Sequence, residues 1–238
     1  MWRAQADAVA AAGYAVRTPD LPGFGETALL DSPPSLDAVG DVIAKSLRAD
    51  GGVWAVVGIS LGGYLAMNLA RRHGELLAGV ALCDTKATAD PPAAREQRNR
   101  LANVVEEPSS DTARVLEQAV LPGLVGATTH DCRPDVVRQV RQWLRMADGR
   151  SVAWYQRAMA ERPDSLAVLA DFAQPSLVLW GEEDTLSPDV EQDLMLSVLT
   201  DSMKVKVPAA GHLTAVEDPS AVSLAILRWL ERVSTGNG

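Results

Sequence analysis

A chain of 238 residues, 47% of them hydrophobic, is long enough for one sizeable α/β core and too short for two large domains to be expected. Its formal net charge of −9 argues against nucleic acid and anionic membrane surfaces as partners, since both would be repelled. No stretch approaches the roughly 20 apolar residues of a membrane span, and Met1-Trp2-Arg3-Ala4-Gln5-Ala6-Asp7 lacks the apolar run of a signal peptide, so a soluble, cytoplasmic protein is expected. Cys83 and Cys132 lie far apart with no C-x-x-C spacing, which suggests neither a disulfide framework nor a zinc site; both read as structural thiols.

Trp2 to Ala12 reads as an alanine-rich helix stopped by Gly13, and Tyr14 to Thr18 as a short strand ending at Pro19. Asp20-Leu21-Pro22-Gly23-Phe24-Gly25-Glu26-Thr27 is a loop by its glycine and proline content. It is either a plain turn or a turn that also lines a ligand site, with Gly25 the candidate. Pro33-Pro34 breaks the chain before a helix from Ser35, its expected N-cap, to Ala49, with Leu36, Val39, Val42, Ile43 and Leu47 at helical spacing.

Val53 to Val57 runs without alternation into Gly58, as a buried parallel strand does, and Gly58-Ile59-Ser60-Leu61-Gly62 follows at once. This is the G-x-S-x-G pattern of a nucleophile elbow, in which flanking glycines let strand and helix approach so that Ser60 sits exposed at the apex. The next amide, that of Leu61, then points at substrate. The elbow helix continues to His73-Gly74, with Gly74 as expected C-cap, and Leu77 to Cys83 is the next buried strand.

From Pro91 to about Asp171 the pattern is helical, broken at Pro108, Pro122-Gly123, Pro134, Gly149 and Pro163. We read residues 91–171 as a helical cap on a core formed by residues 1–90 and 172–238. Its apolar residues are mostly packing, and Trp143 and Trp154 are the candidates for facing substrate. Strands are then expected at Pro175 to Trp180 and Met203 to Val207, and helices from Asp189 to Leu199 and from Pro219 to about Val233.

A serine hydroxyl needs a base, and imidazole is the usual one. Of three histidines, His73 ends the elbow helix and should point away from Ser60, and His130 falls in the cap. His212 follows the last strand in the loop Pro208 to Thr214, which puts it at the same sheet edge as Ser60. An acid to orient it is offered by Glu182, Glu183 and Asp184 after the preceding strand, and position favours Asp184.

These features together resemble the α/β-hydrolase superfamily, within it the enol-lactonase-like and carboxylesterase-like hydrolases. The resemblance covers nearly the whole chain. It rests on Pro19 to Gly25, Gly58 to Tyr64, Leu82-Cys83-Asp84-Thr85, Gly181 to Asp184 and Gly211-His212. It implies a mostly parallel sheet with helices on both faces, acyl transfer from a small ester or lactone to Ser60, and hydrolysis by water activated by His212, with no cofactor and no metal. C–C bond hydrolysis, cofactor-free perhydrolysis and plain small-molecule binding are the alternatives, and either a monomer or a homodimer is expected.

One departure stands out. In the family the helix matching Trp2 to Ala12 follows further strands and a His-Gly loop that supplies a second oxyanion donor. Their absence implies a start codon placed too late, which is the favoured reading, a truncation in which the flanking strands pair directly, or a partner chain that fills the gap in the sheet; a chain complete as written is expected to have weak or no activity.

Overall fold

The computed structural model describes residues 1–235. Helix α1 (Arg3–Ala11) and helix α2 (Leu36–Asp50) precede strand β1 (Trp54–Ile59), which turns into α3 (Leu61–His73) and returns as β2 (Leu77–Cys83). Seven helices follow without a strand: α4 (Pro92–Glu106), α5 (Thr112–Ala119), α6 (Leu121–Leu124), α7 (Ala127–Cys132), α8 (Pro134–Met146), α9 (Gly149–Ala160) and α10 (Leu166–Ala170). Then come β3 (Ser176–Gly181), α11 (Asp189–Val198), β4 (Ser202–Val207), α12 (Thr214–Glu217) and α13 (Pro219–Thr235).

The four strands form one parallel sheet in the order β1-β2-β3-β4. Parallel strands need crossovers: α3 joins β1 to β2 and α11 joins β3 to β4 on one face, and α13 covers the other. The strand period of two assigns the faces. Val80, Leu82, Val178 and Trp180 pack with α2, α3 and α11, whereas Ala81, Cys83, Leu177 and Leu179 pack with α13 and the α6–α8 region. Because β2 and β3 are buried on both sides, their sequences show no polar alternation. Ser35 caps α2 as its sequence suggests, its hydroxyl accepting from the Ala38 amide at 3.4 Å.

Three local expectations are corrected. Tyr14 to Thr18 is not a strand: Tyr14 turns toward α13, its hydroxyl 3.3 Å from Ser234 Oγ, and Arg17 pairs with Asp50. A run becomes a strand only when its amides and carbonyls meet another edge, and among the described residues this one pairs with none. Consequently β1 is an edge strand among the described residues, and Trp54 to Val57 are half-buried rather than covered on both faces. Gly74 is the C-cap of α3 as expected, with a right-handed backbone that carries the chain through a 3₁₀ turn, Gly74–Leu76, straight into β2. Cys83 is buried as expected, whereas Cys132 is exposed.

The helical insertion is tied to the sheet by a buried carboxylate. Asp90, just past the β2 exit, meets Arg162 at the end of α9 (2.8 Å), Arg98 on α4 (2.5 Å) and Lys86 (3.1 Å). Both helices that flank the insertion thus converge on one side chain, and α4 and α9 pack along each other around Ala102, Val105 and Ala153.

Candidate active site

The serine turn follows from what its neighbours leave out. A methyl group at Gly58 would collide with the carbonyl of Gly62, and one at Gly63 with the side chain of Thr85. Strand and helix therefore approach closer than any other residue allows. Between them Ser60 adopts φ 51° and ψ −112°, a conformation costly for a residue with a Cβ. It is held there from both sides: its amide donates to Cys83 O (2.9 Å), and its carbonyl accepts from Gly63 N (2.9 Å), Tyr64 N (3.2 Å) and Thr85 Oγ1 (2.9 Å). The Leu61 amide occupies the first position of α3, where no carbonyl of its own helix can reach it.

Asp184 stands in the turn after β3, buried, with its amide on Gly181 O. Its Oδ1 accepts from the amides of Leu186 (2.8 Å) and Ser187 (3.1 Å), and its Oδ2 accepts from Ser187 Oγ and from His212 Nδ1 (2.9 Å). Burial alone would raise its pKa, but the hydrogen bond and charge of His212 together with the Ser187 donors outweigh it and hold the carboxyl below the ordinary carboxylate value. An ionised carboxylate can only accept, so Nδ1 carries the proton and the lone pair of Nε2 faces outward. Ser60 Oγ lies 2.7 Å from that Nε2. Hydroxyl, imidazole and carboxylate form one line of hydrogen bonds, from three loops at the C-terminal ends of β1, β3 and β4.

A second buried carboxylate sits behind this line. Asp84, directly after β2 and at a positive φ of 43°, accepts from Gly181 N (3.0 Å), Thr214 N (3.1 Å) and Thr214 Oγ1 (2.6 Å). It joins the ends of β2 and β3 to the histidine loop. Burial pushes its carboxyl well up, the nearby Asp184 adds to this, and the Thr214 and Gly181 donors oppose it. Glu217 on α12 is a third buried carboxylate in the same region.

The remaining sequence candidates are dispersed. His73 bonds Asp41 (2.8 Å) and Arg48 (3.2 Å) at the far end of α3, and His130 is exposed. Glu183 accepts from the amide and hydroxyl of Thr128, and Glu182 is exposed, so neither competes for His212. Gly25 is exposed with φ 58°, its open face against Asp20, and among the described residues no hydrogen bond links it to Ser60 or His212. Its neighbour Phe24 stacks on Tyr155 of α9 at 5.2 Å. Trp154 is buried with its indole N–H on Ser32 O (2.9 Å), and it walls an open cavity of about 400 Å³ shared with residues 29–34, Arg150 and Arg157. Trp143 is half-buried in the apolar cluster that holds Ile59 and Leu213, the neighbours of Ser60 and His212.

Thr85, Ser187, Asp84 and Glu217 escaped the sequence reading as site residues. Asp84 left a trace, a carboxylate directly after a wholly apolar strand; Glu217 left none, being one acid among many at a helix end. Among the described residues no group of three or more His, Cys, Asp or Glu could hold a metal ion, and no helix is long and apolar enough to cross a membrane.

A parallel sheet wrapped by helices on both faces, with a sharp serine turn between β1 and α3, is an α/β-hydrolase architecture. The sequence model of the alpha/beta hydrolase family matches residues 1–225, and the chain belongs to that family. Among solved structures it is similar to a thermophilic esterase from Thermogutta terrifontis, studied with malate bound: 36% identity, TM-score 0.90, over 98% of this chain and 85% of that one. Among curated proteins it is 27% identical to a pimeloyl-[acyl-carrier protein] methyl ester esterase of Aromatoleum aromaticum, over 90% of this chain and 87% of the relative. The enol-lactonase of Burkholderia xenovorans LB400 shares the fold, with a TM-score of 0.78 at 22% identity, over 89% of this chain and 79% of that one.

Proposed function

We propose that the protein is a serine hydrolase that cleaves a small carboxylic ester or lactone through an acyl-enzyme on Ser60. The observation that carries this reading is the 2.7 Å separation of Ser60 Oγ from Nε2 of a histidine whose Nδ1 lies 2.9 Å from a buried carboxylate. His212 takes the hydroxyl proton as Oγ attacks the substrate carbonyl, and Asp184 stabilises the imidazolium so formed. The tetrahedral oxyanion is met by the Leu61 amide, whose position at the start of α3 leaves it free to donate. His212 then protonates the leaving alcohol, water repeats the attack, and the acid and free Ser60 are released. The esterase and methyl ester esterase relatives support the substrate class.

In the same reading residues 91–171 act as a cap, and Trp143 and Trp154 shape the acyl or alcohol site from above. The deciding experiment is intact-mass analysis after exposure to a fluorophosphonate, with Ser60→Ala as control, followed by turnover of aryl esters and lactones. A single adduct that is lost in the variant supports the mechanism, and equal labelling of both proteins overturns it. Labelling without turnover of any ester or lactone would turn the reading to the family's other reactions, C–C cleavage or perhydrolysis.

A further inference from the structure

The histidine loop is gripped by a side chain that takes no part in the proton relay. Glu217 Oε1 accepts from the amides of Gly211 (2.9 Å) and Leu213 (3.1 Å), the residues on either side of His212, and Oε2 accepts from the amide of Gly126 (2.8 Å). The carboxylate is buried, and no ion pair to it occurs among the described residues; its partners are backbone amides. Gly126 is the N-terminal flank of α7, inside the helical insertion. The two backbones touch there: a methyl group on Gly211 would strike the Gly126 amide and the Val125 carbonyl carbon, and one on Gly126 would strike Glu183. Beside this contact, Thr128 is bound to Glu183, and Arg133 donates to Ala209 O at 2.8 Å.

We propose that Glu217 is the positioning residue of the general base, one carboxylate that fixes the amides of the residues on either side of His212 and locks them to the helical insertion at Gly126. The proposal rests on the serine-hydrolase reading above. An acceptor with two oxygens is needed because three N–H groups converge from two segments, and a side chain with a donor on either terminal atom would oppose one of them. Removing the grip frees the His212 loop to drift. A displacement of about 1 Å at a reacting group costs up to about 100-fold in rate.

The test compares the rate at which a fluorophosphonate modifies Ser60 in the wild-type protein, in Glu217→Gln and in Ser60→Ala, across pH, with thermal melting of each. Glu217→Gln keeps the volume and one acceptor. It is expected to label about 10- to 100-fold more slowly per folded molecule, with an altered pH profile. A lowered melting temperature with an unchanged labelling rate and pH profile overturns the proposal and leaves Glu217 a purely structural residue. Labelling of Ser60→Ala at the wild-type rate overturns the underlying reading instead, so the two failures are distinguishable. If Glu217→Gln does not fold, amide hydrogen exchange of the wild-type protein decides: Gly126, Gly211 and Leu213 must open together, and independent exchange of Gly126 sinks the lock.

Discussion

His212 and Asp184 meet at 2.9 Å on one carboxylate oxygen, while the Leu186 and Ser187 amides hold the other. The acid is thus anchored to its own turn and presents one fixed lone pair to Nδ1. Asp184→Asn keeps this shape but offers a donor where an acceptor is needed, which favours the wrong tautomer of His212. We expect ester turnover to fall by about 10⁴-fold, checked by initial rates on an aryl ester at a temperature where the variant is folded.

Asp184 and Asp90 also set an acid limit. In both, burial opposes the charged form and hydrogen-bonded partners outweigh it, His212 and Ser187 for Asp184 and Arg162 with Arg98 for Asp90, so each folded pKa lies below its unfolded value. Depressed carboxylates contribute stability that is complete above the unfolded value and is lost as pH falls through the folded one. The loss should begin below about pH 4, near the unfolded carboxylate value, and deepen with further acid. Urea titrations between pH 7 and pH 2.5 measure it, and an unfolding midpoint that stays flat below pH 4 would contradict it.

Asp90→Ala removes the anion that Arg162, Arg98 and Lys86 share and leaves Arg162 charged and buried. Such a break costs about 3–5 kcal/mol. Chemical denaturation should show that loss, and proteolysis should cut first in the insertion, whose two flanking helices lose their common tie.

Ser60→Ala and His212→Ala should each lower turnover by about 10⁴- to 10⁶-fold while the fold is retained. His73→Ala should leave turnover within a factor of about two, since its partners are Asp41 and Arg48 at the opposite end of α3. A large effect of His73→Ala on turnover would reassign the base.

Gly58→Ala places a methyl group on the Gly62 carbonyl, a backbone atom with nowhere to go. The turn must open, at a cost of about 1–3 kcal/mol or more, and Ser60 loses its approach to His212. Melting temperature and labelling should fall together, whereas an alanine at Gly62, which meets open space, should be tolerated for stability.

The serine turn, β2, β3, the N-cap of α2 and the meeting of Ser60, Asp184 and His212 at one sheet edge were legible because each writes its physics locally: glycines around a serine, unbroken apolar runs, a serine before an amphipathic stretch, polar residues in loops directly after strands. What stayed hidden depends on distant partners. Tyr14 to Thr18 has strand composition, yet among the described residues it pairs with no edge, and composition does not say where an edge will lie. Glu217 and Gly126 are 91 residues apart, and nothing in either neighbourhood announces the other.

The two cysteines, unremarked by the chemistry, give the molecule a native reporter. Cys83 ends β2 fully enclosed, its thiol pushed well up by burial and by the adjacent Asp84, so it resists alkylation while the sheet is intact. Cys132 stands exposed at the last turn of α7, the helix that begins beside the histidine loop. A thiol-reactive fluorophore will therefore attach at one known position on the insertion without any engineering. Its emission reads movement of that helix in real time, and the later arrival of a second label at Cys83 marks the moment the sheet itself comes apart.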